Sequence, residues 1–508
     1  MHSTPVPAPA PPGGAALKRS LGVVDGVVIA ASSTAATTSI GIGTGVIVGV
    51  VGLHGPILAL LAFLPVLCIG GAFARLNRVE PNAGNAYVWV GRVLSPWLGF
   101  LVGWVNIVGT IVFLAYTTTV TGSALMLLAG EAHLHRIGGL ALNPDSNLQA
   151  TLLGMVVLVA VTGTAVAGVN LAARFQRWLL VFEYLVLLGF CGYGLVVGDH
   201  PFSLEWFNPF GFPSLHALAQ GMVLSVFTYW GFDAVFSVSE EVRDHRDASR
   251  AGLISLFTML ALFLLGSVAF QRVLSAGEMA DHGAQGLTYF GARLAHQPLA
   301  VLPLVALTFS AVASLQAGVI PTVRGMFAMG RDRTLGPVWT RVHPRFGTPA
   351  AGTVLIGVIA ALVAGFALVI PKVSTLIEAA VNAIGIVVAL YYGLTALAAA
   401  VRFRGLLRTS FREGVRAVVL PVAGALTLFV LGGLLCADFA TSTDHFALRA
   451  DNGWFELSMP ALMVGSGLAA AAWAKWVRRS PYFHGGQATD ADAPDLLPGS
   501  AARPAAEL

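Results

Sequence analysis

The chain runs to 508 residues, 56% of them hydrophobic and only 11% charged, with a formal net charge of +4. Soluble domains carry roughly a quarter charged residues, so an aqueous fold is excluded: it has nowhere to hide this much apolar surface. The basic residues are spread over many short segments and form no block, which gives no reason to propose nucleic acid as a partner.

In chain order, the first 16 residues are rich in Pro and Ala and are expected to be disordered. From Leu21 to Val477, apolar stretches of about 20 residues recur, each long enough to cross roughly 30 Å of hydrocarbon as a helix. They fall near 21–52, 56–76, 94–128, 149–168, 174–198, 216–240, 250–271, 298–328, 349–370, 374–401, 416–437 and 457–477, which predicts an all-α polytopic membrane protein of about twelve spans. Most of the 29 basic residues fall in alternate loops, starting with Lys18 and Arg19 and including Arg75, Arg78, Arg174, Arg331 and Arg402. The intervening loops keep only Arg136, Arg272, Arg293, Lys372 and Arg449. By the positive-inside rule this supports the span count and puts both termini in the cytoplasm of a plasma (inner) membrane protein. No short apolar region with a small-residue cleavage site precedes the first span, which is expected to stay as an uncleaved anchor. Cys68, Cys191 and Cys436 all lie within apolar spans and are expected to act as small buried hydrophobes. The tail, 480–508, is expected to be disordered.

Two spans are unusual inside. The middle of the first, Ser32-Ser33-Thr34-Ala35-Ala36-Thr37-Thr38-Ser39-Ile40-Gly41-Ile42-Gly43-Thr44-Gly45, is polar and glycine-rich at membrane depth. Hydroxyls bonded to carbonyls one turn back and glycines that allow tight helix packing explain this in one way. Alternatively, Gly41, Gly43 and Gly45 let the helix unwind, so that freed amides and carbonyls line a cavity. The sixth span carries Phe227-Thr228-Tyr229-Trp230-Gly231-Phe232-Asp233, one glycine among aromatics followed by an acid. Interruptions five helices apart fit an inverted repeat: helices one to five over 17–200, six to ten over 201–404, then two more helices over 405–479.

The chain resembles the amino acid-polyamine-organocation (APC) permease superfamily along nearly its whole helical length. Pro81-Asn82-Ala83-Gly84-Asn85-Ala86-Tyr87, followed by Pro96-Trp97-Leu98-Gly99-Phe100, is similar to the family's Pro-x-Ala-Gly-x-x-Tyr signature and its Pro-x-x-Gly-Phe continuation. Tyr229-Trp230-Gly231-Phe232-Asp233 leading to Glu240-Glu241 looks like the family's sixth helix and the acidic pair that ends it. Arg324-Gly325-Met326-Phe327-Ala328-Met329-Gly330-Arg331-Asp332, closing at Arg345-Phe346-Gly347-Thr348-Pro349, looks like the loop after its eighth helix; Tyr391-Tyr392 with Arg402 is a weaker match. The chain departs from the family pattern at Ser39-Ile40-Gly41-Ile42-Gly43 and at Asp244-His245-Arg246. The resemblance implies a leucine-transporter-like 5+5 inverted repeat with broken helices one and six, alternating access, and a small-molecule substrate, an amino acid or amine, held between helices one, three, six, eight and ten.

For a zwitterion, amides of an unwound first helix suit the carboxylate, because a half-helix N-terminus offers donors and partial positive charge. The expected substrate-binding residues are Thr37, Ser39, Gly41 and Gly43, with Phe227, Tyr229, Trp230 and Gly231; packing is the alternative role for each aromatic. Two acids, Glu183 and Asp233, stand inside spans, where a charge costs roughly 2.5–3.5 kcal/mol. They are the proton-coupling candidates, a structural hydrogen-bonded Glu being the alternative for Glu183. Asp25 and Glu378 lie nearer helix ends, Glu378 within reach of Lys372. A sodium site would draw on Ser310 and Ser314, one turn apart rather than adjacent, which favours protons. No catalytic constellation, phosphate loop or metal motif is present, so the expectation is a permease with H+ and the lipid bilayer as partners and no cofactor or metal. A carrier of polyamines or ethanolamine, or a sensor without net transport, is the rival expectation.

Overall fold

A computed structural model describes residues 19–137, 140–282, 285–366, 368, 373–441 and 453–484. The chain is helical apart from a two-residue ribbon, β1 (Arg136–Ile137) and β2 (Leu140–Ala141). The helices are α1 (Val23–Thr34), α2 (Ala36–Val51), α3 (Gly55–Val79), α4 (Ala86–Val93), α5 (Pro96–Glu131), α6 (Asn147–Ala167), α7 (Val169–Val197), α8 (Leu215–Thr228), α9 (Ala234–Ser237), α10 (His245–Val273), α11 (Ala276–His282), α12 (Gly286–Leu294), α13 (Leu302–Arg331), α14 (Ala350–Phe366), α15 (Val373–Arg402), α16 (Leu406–Thr409), α17 (Phe411–Gly414), α18 (Leu420–Thr441) and α19 (Gly453–Ala472). Among the described residues ten helical stretches are long and apolar enough to cross a membrane, α1 and α2 counting as one. In the regions expected to hold the sixth and ninth spans stand shorter apolar helices, Leu215–Thr228 and Ala350–Phe366.

Lipid offers no hydrophobic drive between helices, so close approach relies on small residues. At the crossing of α5 and α6, a Cβ on Gly122 would collide with the Ala150 carbonyl, and one on Gly154 with the Thr118 carbonyl. Thr119 and Thr151 share a 2.8 Å hydroxyl contact at the same crossing.

The first helix is interrupted where its peptide groups can be satisfied, eight residues before the middle of the glycine run. The break is at Ala35, in the left-handed region (φ 49°, ψ 55°), and Gly41, Gly43 and Gly45 are helical residues of α2. Hydroxyls do the work expected of the glycines: Thr34 Oγ1 donates to the Ala31 carbonyl at 2.8 Å, and Ser39 Oγ donates to the Thr34 carbonyl at 3.0 Å. Left-handed alanine costs about 1–2 kcal/mol, less than leaving these groups unpaired in hydrocarbon. Gly41 instead seats the neighbouring α12, since a Cβ there would stand 2.8 Å from Leu287 Cβ.

The face at which the chain enters α1 is closed by charge pairs. Ser20 and Leu21 donate their amides to the Glu241 carbonyl at 2.8 and 3.0 Å, and Arg243 N–H returns a bond to the Leu21 carbonyl. The Glu241 carboxylate takes Arg324 Nε at 2.7 Å, both side chains fully buried, while Glu240 takes Arg331 at 2.7 Å and the Ala83 amide at 2.8 Å. Asp25 pairs with Arg177 of α7 on this face. The expected pairing of Glu378 with Lys372 lies outside the described residues, as do 1–18 and 485–508. Residues 480–484 are ordered, against expectation. Tyr482 is buried, stacks on Tyr87 at 4.8 Å and gives its hydroxyl to the Tyr87 carbonyl in a notch made by Gly91 and Gly99, where side chains would exclude it.

A buried charge that loses its partner costs about 3–5 kcal/mol, an exposed one about 0–1. Arg324→Ala is therefore expected to lower the thermal unfolding midpoint in detergent well below that of Arg331→Ala. Equal midpoints for the two variants would mean that the buried pair is not what holds this face.

Candidate functional site

The second interruption lies between α8 and α9, over Tyr229–Asp233. Gly231 adopts φ +112°, and a Cβ there would stand 2.7 Å from the Ser33 carbonyl carbon and 2.8 Å from its oxygen. Glycine at this residue thus lets the two broken helices touch backbone to backbone, a contact that a side chain would prevent.

Above this junction a cavity of about 310 Å³ extends between α2, α5, α8, α13 and α15. Its lower wall is polar, with Ser33, Thr34, Thr38, Ser39, Thr117, Thr228 and Ser314; its upper wall is apolar, with Ile42, Val46, Ile47, Val50, Val120 and Leu224. Phe113 and Trp230, edge to face at 5.7 Å, form its floor. They also roof a pocket of about 30 Å³ that contains Asn106, Gly231, Asp233, Ser237 and Thr322. A third, of about 20 Å³, shares Asn106, Ser237 and Thr322 and reaches Asn85 and Tyr391. The three hollows descend in sequence toward the closed face.

Both intramembrane acids are engaged. Glu183, 1% exposed, accepts the Thr37 amide at 3.1 Å, and the next amide, Thr38, donates to Ser310 Oγ at 3.4 Å. A carboxyl from α7 and a hydroxyl from α13 therefore occupy the positive end of α2. Asp233, 4% exposed, accepts the Tyr391 hydroxyl at 2.5 Å and the Tyr392 hydroxyl at 2.9 Å; Asn85 Nδ2 donates to the Asp233 carbonyl at 3.4 Å.

Of the residues expected to bind substrate, Ser39, Gly43, Phe227 and Trp230 line the large cavity and Gly231 lines the pocket beneath it. Thr37 is buried and gives its amide to Glu183. Gly41 and Tyr229 face away: Gly41 packs on Leu287, and Tyr229 donates to the Ala59 carbonyl at 3.0 Å between Phe63 and Phe263. Asp233, the second proton-coupling candidate, has both carboxylate oxygens engaged by the hydroxyls of Tyr391 and Tyr392. Tyr116, Thr117, Gln220 and Asn382 of the lining escaped sequence reading; their only signal was polarity inside an apolar span, as lone residues for Gln220 and Asn382 and within the run Tyr116-Thr117-Thr118-Thr119 for the others. Among the described residues no group of three or more His, Cys, Asp or Glu side chains could hold a metal ion.

Between α10 and α13, the short helices α11 and α12 are tied by Glu278, which accepts the Ser275 amide and hydroxyl and the Tyr289 hydroxyl. These donors pull its carboxyl down to about 2. A depressed carboxyl keeps its folded-state contribution until pH falls through that value, so this tie does not titrate between pH 5 and 8.

The family described as Amino acid permease matches residues 28–446. Relatives include the methylthioribose transporter of Bacillus subtilis (strain 168), 29% identical over 64% of this chain and 71% of its own length. The low-affinity putrescine importer PlaP of Escherichia coli (strain K12) is 24% identical over 76% and 82%. Cationic amino acid transporter 3, mitochondrial, of Arabidopsis thaliana is 24% identical over 65% and 55%.

Strain at the junction of the two breaks, of order 1–3 kcal/mol, converts to roughly five- to 150-fold in ligand affinity. Gly231→Ala is expected to lose at least about fivefold in solute exchange by the reconstituted protein while still eluting as a single species in detergent. Exchange at the wild-type rate would show that the Ser33 contact is dispensable.

Proposed function

The chain belongs to the amino acid permease family, and on that premise we propose that it carries amino acids across the plasma (inner) membrane by alternating access, coupled to protons. It is a multi-pass membrane transporter and not an enzyme. The observation that carries the proposal is the cavity of about 310 Å³ at the junction of two interrupted helices, polar at its base and shut off from the α1 entry face by Trp230 and two glutamate–arginine pairs. An amino acid sits with its charged backbone groups at the polar base, against Ser33, Thr38 and Ser39, and its side chain against the apolar wall. Twelve spans in a 5+5 inverted repeat, with both termini cytoplasmic, suit this mode of action.

Protons act at Glu183. In its charged form the carboxylate accepts the Thr37 amide and holds the start of α2 to α7. Once protonated it accepts more weakly and can donate instead, which loosens α2 and lets the site change the side it faces. One proton moved with the solute through a potential of 100 mV supplies roughly 2.3 kcal/mol, or about fifty-fold accumulation. The alternative, a polyamine carrier, is disfavoured because none of the side chains lining the large cavity is a carboxylate, and a diamine would have to leave its second ammonium without a counter-charge.

Glu183→Gln in proteoliposomes is expected to keep labelled-leucine counterflow within about twofold while accumulation driven by an inward proton gradient falls to the equilibrium level, below the roughly fifty-fold ceiling. Retention of the wild-type pH dependence between pH 5 and 8 would remove Glu183 from coupling. Exchange of putrescine but of no amino acid would overturn the substrate assignment.

A further inference from the structure

Within the apolar upper wall of the large cavity stand two carboxamides, Gln220 on α8 and Asn382 on α15. Neither has a hydrogen-bond partner among the described residues, although side-chain amides at membrane depth ordinarily find one. The two helices run in the same direction and meet closely at Val223 and Gly385, where a Cβ on the glycine would stand 2.9 Å from Val223 Cγ1. Gln220 and Asn382 each precede that contact by three residues, about 4.5 Å of helix, so they share one level of the cavity, one turn or more above the Phe227–Trp230 floor. The side chains around them are apolar, so a solute that displaces water from these amides must replace their hydrogen bonds.

We propose that Gln220 and Asn382 are the specificity-determining residues of the cavity and select a solute whose outer arm ends in an uncharged hydrogen-bonding group, a carboxamide or hydroxyl. This deepens, and rests on, the assignment of the cavity as the substrate site. Each amide offers both a donor and an acceptor, so the pair matches a group that also does both. An ammonium or guanidinium arm finds half of its contacts repelled by the N–H donors and no carboxylate among the lining side chains. A purely aliphatic arm leaves both amides buried and dry, the penalty by which a polar pocket rejects an analogue lacking its hydrogen-bonding group.

The test is ligand-induced quenching of tryptophan fluorescence, with Trp230 in the cavity wall, for the purified full chain titrated with L-glutamine, L-leucine, L-lysine, putrescine and D-ribose. The wild type is expected to bind glutamine at least about tenfold more tightly than leucine or lysine. Gln220→Leu with Asn382→Leu is expected to abolish the preference for glutamine over leucine, through weaker glutamine and tighter leucine binding. Gln220→Glu with Asn382→Asp is expected to turn the preference toward lysine. Retained glutamine preference in the leucine variant overturns the proposal, as does a wild type that favours leucine, lysine or putrescine. If D-ribose alone binds and weakens in the leucine variant, the role of the two amides stands and the amino acid assignment falls. If no probe binds the wild type, both fall.

Discussion

A peptide group cannot be left unpaired in hydrocarbon, and the architecture of this protein follows from how two broken helices meet that constraint. At Ala35 the polar groups freed by the break go to hydroxyls of the same segment and to two partners from other helices, Glu183 and Ser310. At Tyr229–Asp233 the break is held by tyrosine hydroxyls on Asp233 and by the close contact of Gly231 with Ser33. The functional cavity is the space these satisfied breaks leave between them.

The same bonds explain why the site is asymmetric. Toward the face where α1 begins, every layer has a fastening: Trp230 on Phe113, Asp233 on Tyr391 and Tyr392, then the Glu241–Arg324 and Glu240–Arg331 pairs. Toward the other end the large cavity is walled mainly by apolar side chains, with Gln220 and Asn382 among them. The energy that must be supplied to change the accessible side is therefore concentrated in a few polar contacts, and Glu183 of α7, bonded to the first turn of α2, stands where a single proton alters one of them.

Much of this was legible from residue types. A polar stretch in span one, an aromatic-glycine-acid stretch in span six and two lone intramembrane acids marked the helices that form the site, because polar groups in lipid are costly enough to be rare. The cue left the detail open. The glycines of span one fit either close helix packing or unwinding, and Gly41 serves the first by seating Leu287; a glycine signals either backbone freedom or close approach, and one strand of sequence does not separate them. Tyr391 and Tyr392 stood out only as part of a motif, since nothing local says that they reach an aspartate more than 150 residues away.

Sequence by itself determined that this is a membrane protein of many helices and which of them carry polar interruptions, since hydropathy and charge act residue by residue against a solvent of fixed thickness. Only the tertiary structure decided where the first helix breaks, which acid meets which donor, and that Gln220 and Asn382 share one level of one cavity. Those outcomes depend on side chains from distant segments arriving together, and the local pattern of a chain carries no record of its neighbours.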